Sequence, residues 1–367
     1  MKVVFVCDWL PPDFGAVGQY TLKFAREEAA RGSQVTLGGL SSSASTETFE
    51  QHRNGSLRVV RLRTSSNPKH SFLRRALWTL ITNIRLVGRL LPAMVRSEEV
   101  LFTGSPTYLI HLIVPLSVVF RFRTRYRITD FHPECLMVAL PRVPAWLRAL
   151  YALTLFWRRR VHRFEVLGED QRARLREIGI AEDRIILKRD ESPIVFRPDT
   201  KPAAKPAAIG GMPVVLYSGN FGLAHDAATF LRAWEAYHQR SGRPVGFWLN
   251  GTGAQAEAVH DRAAQLPLCY ARTEPASLED LPGILLAADL HLITLRDEFV
   301  GYVLPSKVYA CIDSGKPVLF IGSPRSDVHL LCMERMDRNG YFRVDIGDVQ
   351  GVVAVLERVA GRIDNGG

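Results

Sequence analysis

Lys307 follows Pro305 and Ser306 at the start of a helical run that ends at Gly315 and feeds an apolar strand over 317–321. A serine there is a candidate N-cap, and the amides behind it would converge on one point beside the Lys307 ammonium. That combination suits an anion such as a phosphate. Two glycine-bearing turns point to the same chemistry. In Ser218-Gly-Asn-Phe-Gly222, Gly219 and Gly222 permit a tight turn and let a pyrophosphate approach the backbone amides. Gly251-Thr-Gly253 repeats the signal one strand later. In the other half of the chain, Thr129-Asp-Phe-His-Pro-Glu134 places Asp130 and His132 at the C-terminal end of a predicted strand, where open α/β sheets hold ligands. Each feature also has a purely structural reading: a solvated lysine, ordinary turns, a capping aspartate and a satisfied loop histidine.

These residues can act together only if regular elements carry them. Residues 1–7 form a short β-branched run without alternation, as a parallel strand covered on both faces should be. A loop containing Gly15-Ala-Val-Gly18, a helical pattern over 19–30 and a strand over 34–38 complete one right-handed βαβ unit. Further strands are predicted at 57–62, 100–102, 126–130, 164–168 and 184–188, with helices at 71–96 and 170–178. The second half repeats the theme, with strands at 214–218, 245–250, 268–270, 290–294 and 318–321 and helices at 227–240 and 349–360. Between the halves, the proline, alanine and glycine of 199–213 mark an exposed linker. The expected fold class is therefore α/β, with two Rossmann-like, doubly wound domains. The first covers 1–200, the linker 201–212 and the second 213–367.

Four segments of the second half occur in order: Tyr217-Ser-Gly-Asn-Phe-Gly222, Asn250-Gly-Thr-Gly253, Ala287-Ala-Asp289, and Pro305-Ser-Lys-Val-Tyr309 with Gly315-Lys-Pro317. Together, over 213–360, they resemble the donor domain of family-4-type glycosyltransferases of the GT-B fold. More narrowly, they resemble the Pro-Ser-Lys-x-Tyr branch that includes L-fucosamine-type transferases of surface-polysaccharide and O-antigen synthesis. The resemblance implies two Rossmann-like domains facing a central cleft. It implies retaining transfer, without an enzyme nucleophile, from a UDP-linked sugar to a hydroxyl of a lipid-linked glycan.

By the same resemblance, Gly219, Asn220, Phe221, Gly222, Gly253 and Ser306 lie on the donor side, and Lys307 stabilises the departing diphosphate. Arg272 and Tyr309 would lie near the base or ribose. Asp130 and His132 are the catalytic candidates of the first domain, Thr129 standing where relatives often carry histidine. Gly15 and Gly18 match the family's first-loop region on the acceptor side. The chain departs from the family at one place. Relatives carry two glutamates where this sequence has Tyr302 and Ala310, leaving Glu298 as the nearest carboxylate for the donor sugar. No metal or other cofactor is implied, since a lysine and helix amides serve the diphosphate and there is no Asp-x-Asp signature.

Charge divides the chain unevenly. Residues 1–200 carry 31 Lys and Arg against 19 Asp and Glu, whereas 201–367 carry 16 against 18. The basic clusters of the first half (Arg74, Arg75, Arg85 and Arg89; 121–127; 156–163) are interleaved with Leu, Ile, Phe and Trp. That pattern suits an anionic membrane surface, with a nucleic acid not expected. The five cysteines form no CxxC pair, which suggests reduced thiols and a cytoplasmic protein, peripheral on the inner face of a membrane. The first residues read as a strand rather than a signal peptide, and 101–120 as strand, loop and buried helix rather than a span. Relatives usually add a terminal helix that packs on the first domain; this chain ends at Gly367, so looser closure is expected. Two other enzyme readings stay open: tailoring of a soluble small molecule, and nucleotide-sugar 2-epimerisation. The missing glutamates count against the second.

Overall fold

The computed structural model describes residues 1–13, 16–65, 72–192, 194–241, 243–265 and 269–362. It divides into two compact units, 1–189 and 190–367.

The first unit opens with β1 (Lys2–Trp9), whose run of hydrophobic residues is buried from Val3 to Cys7. Helix α1 (Ala16–Ala30), β2 (Gln34–Ser41), β3 (Thr46–Gln51) and β4 (Ser56–Arg63) follow. Next come α2 (Phe72–Met94), β5 (Glu99–Thr103), α3 (Ile110–Phe120) and β6 (Arg123–Ile128). Helices α4 (Glu134–Ala139) and α5 (Ala145–Arg158), β7 (Arg163–Val166), α6 (Glu169–Glu177) and β8 (Ile185–Leu187) complete the unit. The strands form one sheet in the order β3-β4-β2-β1-β5-β6-β7-β8, parallel except for the antiparallel edge strand β3. Strand order reverses at β1, so the crevice between the C-terminal ends of β1 and β5 is the switch point where such sheets bind ligands.

The second unit contains β9 (Val214–Ser218), α7 (Ala228–Arg240), β10 (Gly246–Asn250), α8 (Ala254–Ala264) and β11 (Tyr270–Thr273). Helix α9 (Leu281–Leu286), β12 (Leu290–Thr294), α10 (Lys307–Asp313) and β13 (Val318–Ile321) follow, then α11 (Asp327–Arg335), β14 (Tyr341–Val344) and α12 (Val349–Arg362). Its six strands run β11-β10-β9-β12-β13-β14, all parallel, with the switch point between β9 and β12. A core built on Val215, Phe230, Trp234, Phe247, Leu292 and Leu356 fills one face.

Two doubly wound α/β units are thus as expected. Strands β3 and β14 and helices α4, α5, α8, α9 and α11 were not among the expected elements. Strand β3 is an exposed polar edge, Thr-Glu-Thr-Phe-Glu-Gln, which carries no burial pattern to read. The stretch 101–120 resolves into the end of β5, a loop and α3, and among the described residues no helix is long and apolar enough to cross a membrane. Residues 190–212 pack with the second unit. Ile194 and Ile209 are buried beside Val214, the Ala203 amide donates to the Gly283 carbonyl (2.8 Å), and Lys205 pairs with Asp289 (2.7 Å). Composition alone reads this strap as exposed linker because its few apolar residues are spaced singly among Pro, Ala and Lys.

Candidate functional site

In the second unit the loops that follow β9 and β12 converge on Lys307. The residue as a whole is half-buried, but its Nζ is buried, 3.2 Å from the centre of the Tyr217 ring. Among the described residues Nζ has no hydrogen-bond partner. The ring face offers a cation–π contact, and among the described residues no carboxylate or hydrogen-bond partner meets the charge. Burial accordingly pushes the ammonium down to about 7. Tyr217 is held in place by a stack on Phe221 (3.9 Å) and by donating its hydroxyl to the Asn220 carbonyl (3.0 Å). His225 packs edge-on against both rings and hydrogen-bonds the Thr294 carbonyl (2.6 Å) through Nδ1. Burial, then the nearby Lys307 charge, push His225 down to about 3, so it is a neutral support.

The glycines explain how an anion could reach this ammonium. Gly219 has φ of +115°, and a Cβ built on it would lie 3.8 Å from Lys307 Nζ. Gly219 therefore lies directly against the end of the lysine side chain. Gly253 has φ of +126°, and a Cβ there would fall 2.5 Å from Asn220 Oδ1 and from the Phe221 carbonyl oxygen. The two glycine turns interlock: the Phe221 amide donates to the Thr252 carbonyl (2.6 Å) and the Gln255 amide to the Phe221 carbonyl (2.8 Å). Replacing Gly219 by alanine is expected to cost about 1–3 kcal/mol through the forced backbone. It should also abolish anion binding at Lys307. Denaturant unfolding and nucleotide titration of that variant would measure the two effects separately.

The structure gathers Gly219, Asn220, Gly222, Gly253 and Lys307 at one switch point. The Phe221 ring belongs to the core, 1% exposed, so that residue offers only its backbone to the loop. Ser306 does not behave as expected. It occupies the N-cap position with helical φ and ψ and makes no side-chain cap. The turn already begins at Pro305, whose carbonyl accepts from the Val308 amide (3.1 Å), and the serine hydroxyl caps none of the first-turn amides. Attraction for an anion therefore rests on Lys307 rather than on the seven-residue α10. Tyr309 is buried inside that helix. Arg272, on edge strand β11, forms a two-bonded ion pair with Glu257, which holds the guanidinium above its usual range. Glu298 pairs with Arg296 in a turn tied to the glycine loop, since the Arg296 amide donates to the Ala224 carbonyl (2.9 Å).

In the first unit, Asp130 and His132 follow β6 as expected. Burial drives Asp130 up and His132 down, toward a neutral pair, while their mutual attraction opposes both shifts. The loop that carries them is anchored by a buried ion pair of Glu134 with Arg158, and Arg158 also donates to the His132 carbonyl (3.0 Å). Gly18 is packed so tightly that a Cβ would lie 1.8 Å from the Trp9 carbonyl oxygen. That makes it a packing requirement of α1 against β1. Gly15 lies outside the described residues. Sequence reasoning passed over Asp8, at the end of β1. Its Oδ2 accepts from Ser105 Oγ (2.7 Å), while Oδ1 is buried without a partner among the described residues. Burial pushes this carboxyl to about 6 against the Ser105 bond. The available signal was an acidic residue closing an otherwise apolar strand.

No protein-family model and no curated protein sequence matches this chain. Solved structures do. Sucrose-phosphate synthase from Thermosynechococcus elongatus is 11% identical with a TM-score of 0.66, over 98% of this chain and 89% of that one. HepE from Anabaena, in complex with UDP and glucose, is 13% identical with a TM-score of 0.63, over 99% and 90%. An α,α-trehalose-phosphate synthase (UDP-forming) from Burkholderia vietnamiensis is 11% identical with a TM-score of 0.61, over 98% and 91%. The fold is GT-B. At such identities the likeness speaks for the architecture, and the chemistry has to come from the residues themselves.

Proposed function

We propose that this chain is a glycosyltransferase that binds a UDP-linked sugar in its second unit. In this reading it transfers the sugar, with retention, to a hydroxyl of a lipid-linked glycan in surface-polysaccharide synthesis. The observation that carries the donor half of the reading is Lys307: a buried ammonium, without a hydrogen-bond partner among the described residues, behind a glycine at the switch point of a parallel sheet. A diphosphate in front of Gly219 would supply the missing counter-charge. As the bond between the anomeric carbon and the β-phosphate oxygen breaks, negative charge grows on that phosphate. A fixed, desolvated ammonium then stabilises the transition state more than the ground state. The choice of UDP is supported by structures of the same fold described as holding UDP or as UDP-forming. The lipid-linked acceptor, the retaining outcome and the polysaccharide role are supported by the resemblance of the second-half motifs.

Calorimetric titration of the full chain with UDP and with GDP tests the donor site. Saturable binding of UDP, tighter than that of GDP, is the expected result. Binding of neither nucleotide would overturn the reading.

A further inference from the structure

Helices α2 and α3 pack against each other, and α5 packs against α3. Each turns an apolar stripe outward. On α2 the inward residues Leu86, Leu90 and Met94 are buried in the usual way, yet the opposite side exposes Leu77, Leu80, Ile81 and Ile84 at helical spacing. The end of α3 exposes Val118, Val119 and Phe120, and α5 exposes Trp146, Leu153 and Phe156. Ten of the nineteen large apolar side chains exposed among the described residues therefore sit on these three helices. None of them is needed to cover the sheet beneath.

Charge on the same helices is one-sided. Their 48 residues include six arginines and no aspartate or glutamate, and only Arg158 among the six is buried. Helices on the second unit carry both signs, as Arg232 and Glu235 of α7 and Glu357 and Arg358 of α12 show. A face that merely meets water has no reason to exclude every carboxylate while exposing leucine, isoleucine, phenylalanine and tryptophan. A nucleic acid would find arginines but also an apolar stripe it cannot use.

We propose that the outer face of α2, α3 and α5 docks on an anionic lipid bilayer. The apolar stripes enter the boundary between headgroups and acyl chains, and Arg74, Arg75, Arg85 and Arg148 engage lipid phosphates, while Arg89 pairs with Glu47 (3.2 Å). The biological purpose rests on the lipid-linked acceptor reading. The observations themselves concern only the first unit and do not depend on the donor site.

The test uses the full chain and sedimentation with two vesicle types: phosphatidylcholine alone, and phosphatidylcholine with about a quarter phosphatidylglycerol. Binding to the anionic vesicles is expected to exceed binding to the neutral ones by about tenfold or more, and to weaken at about 0.5 M salt. Two paired variants separate the contributions, Leu80→Glu with Ile84→Glu and Arg85→Glu with Arg148→Glu. Either pair should lower vesicle binding about tenfold or more with unchanged melting temperature and unchanged UDP affinity. Absence of vesicle binding, or binding indifferent to both pairs, would overturn the proposal. So would a dimer that is dispersed by the leucine–isoleucine pair in a protein that ignores vesicles. UDP titration on the same preparations keeps the fate of the donor site separate from that of this surface.

Discussion

Replacing Lys307 by methionine is expected to raise the melting temperature of the ligand-free protein while weakening UDP binding about 100-fold. The two effects have one cause. Nζ is buried, lies 3.2 Å from the Tyr217 ring centre, and has no hydrogen-bond partner among the described residues. An ammonium in that setting has lost its water and gained the face of an aromatic ring, which returns on the order of 2 kcal/mol, less than the desolvation costs. Methionine keeps a long, flexible, apolar stem of similar reach, so it fills the slot without the desolvation cost. A gain of about 1 kcal/mol in a unit of this size corresponds to roughly 2–4 °C. The diphosphate, in contrast, would lose its buried charged partner. Truncating one member of such a pair costs about 2–5 kcal/mol, and each 1.4 kcal/mol is about tenfold in affinity. Thermal unfolding with and without UDP measures both signs at once. A methionine variant that is less stable and binds UDP normally would make Lys307 a structural residue and remove the main support for the donor site.

How much of this was legible beforehand differs from residue to residue. The parallel strands were readable because burial on both faces leaves continuous apolar runs, and β9, β12 and β13 appear in the structure within their expected bounds. The exposed edge strand β3 was not readable, because hydrogen bonding to β4 rather than burial makes it a strand. Lys307 could be singled out from its place behind Pro305 and Ser306, but for a partly mistaken reason. A capped helix assisted by a lysine was expected, and the structure has an uncapped short helix whose lysine lies on the Tyr217 ring. That difference depends on where a turn begins, which Pro305 decides and a cap pattern does not report. Tyr217 and His225 were invisible as site residues since, on a one-dimensional chain, an aromatic in a buried strand looks like core. Their role appears only when the β9 strand and the loop after it are folded beneath the lysine. Asp8 was hidden for the converse reason. Its significance comes from Ser105, 97 positions away, which β5 brings alongside β1. The arginines of α2 and of the end of α5 were legible as interleaved with apolar residues. Only burial reveals that their apolar residues form two stripes, one facing the sheet and one facing out.

UDP affinity should be greatest near pH 6–7 and fall about tenfold per pH unit above it, with one proton taken up on binding. In the free protein, burial sets the Lys307 ammonium at about 7. A bound diphosphate favours the charged form and returns the group toward its ordinary range near 10.5. Below about 7 the lysine is already protonated, and binding needs no proton from it. Above that point the free protein holds a neutral amine, so binding must collect a proton and weakens as protons become scarce. On the acid side, the terminal phosphate of the nucleotide gains a proton near pH 6 and loses charge, which closes the window from below. The groups facing the lysine do not titrate in this range: burial sets His225 at about 3 and Cys311 at about 12, and drives Tyr217 well above its usual value. The same group leaves a mark on stability with the opposite dependence. Between about 7 and 10.5 the unfolded chain carries the proton that the free folded protein has shed, so this residue's contribution makes the ligand-free protein more stable as pH rises through that window. Calorimetry at pH 6.5 and 8.5, in buffers of different ionisation enthalpy, reads the proton directly. Nearly one proton taken up at pH 8.5, almost none at pH 6.5 and none in Lys307→Met is the expected pattern. Affinity that stays flat to pH 9 would mean the ammonium is never discharged, and that something other than the nucleotide neutralises it.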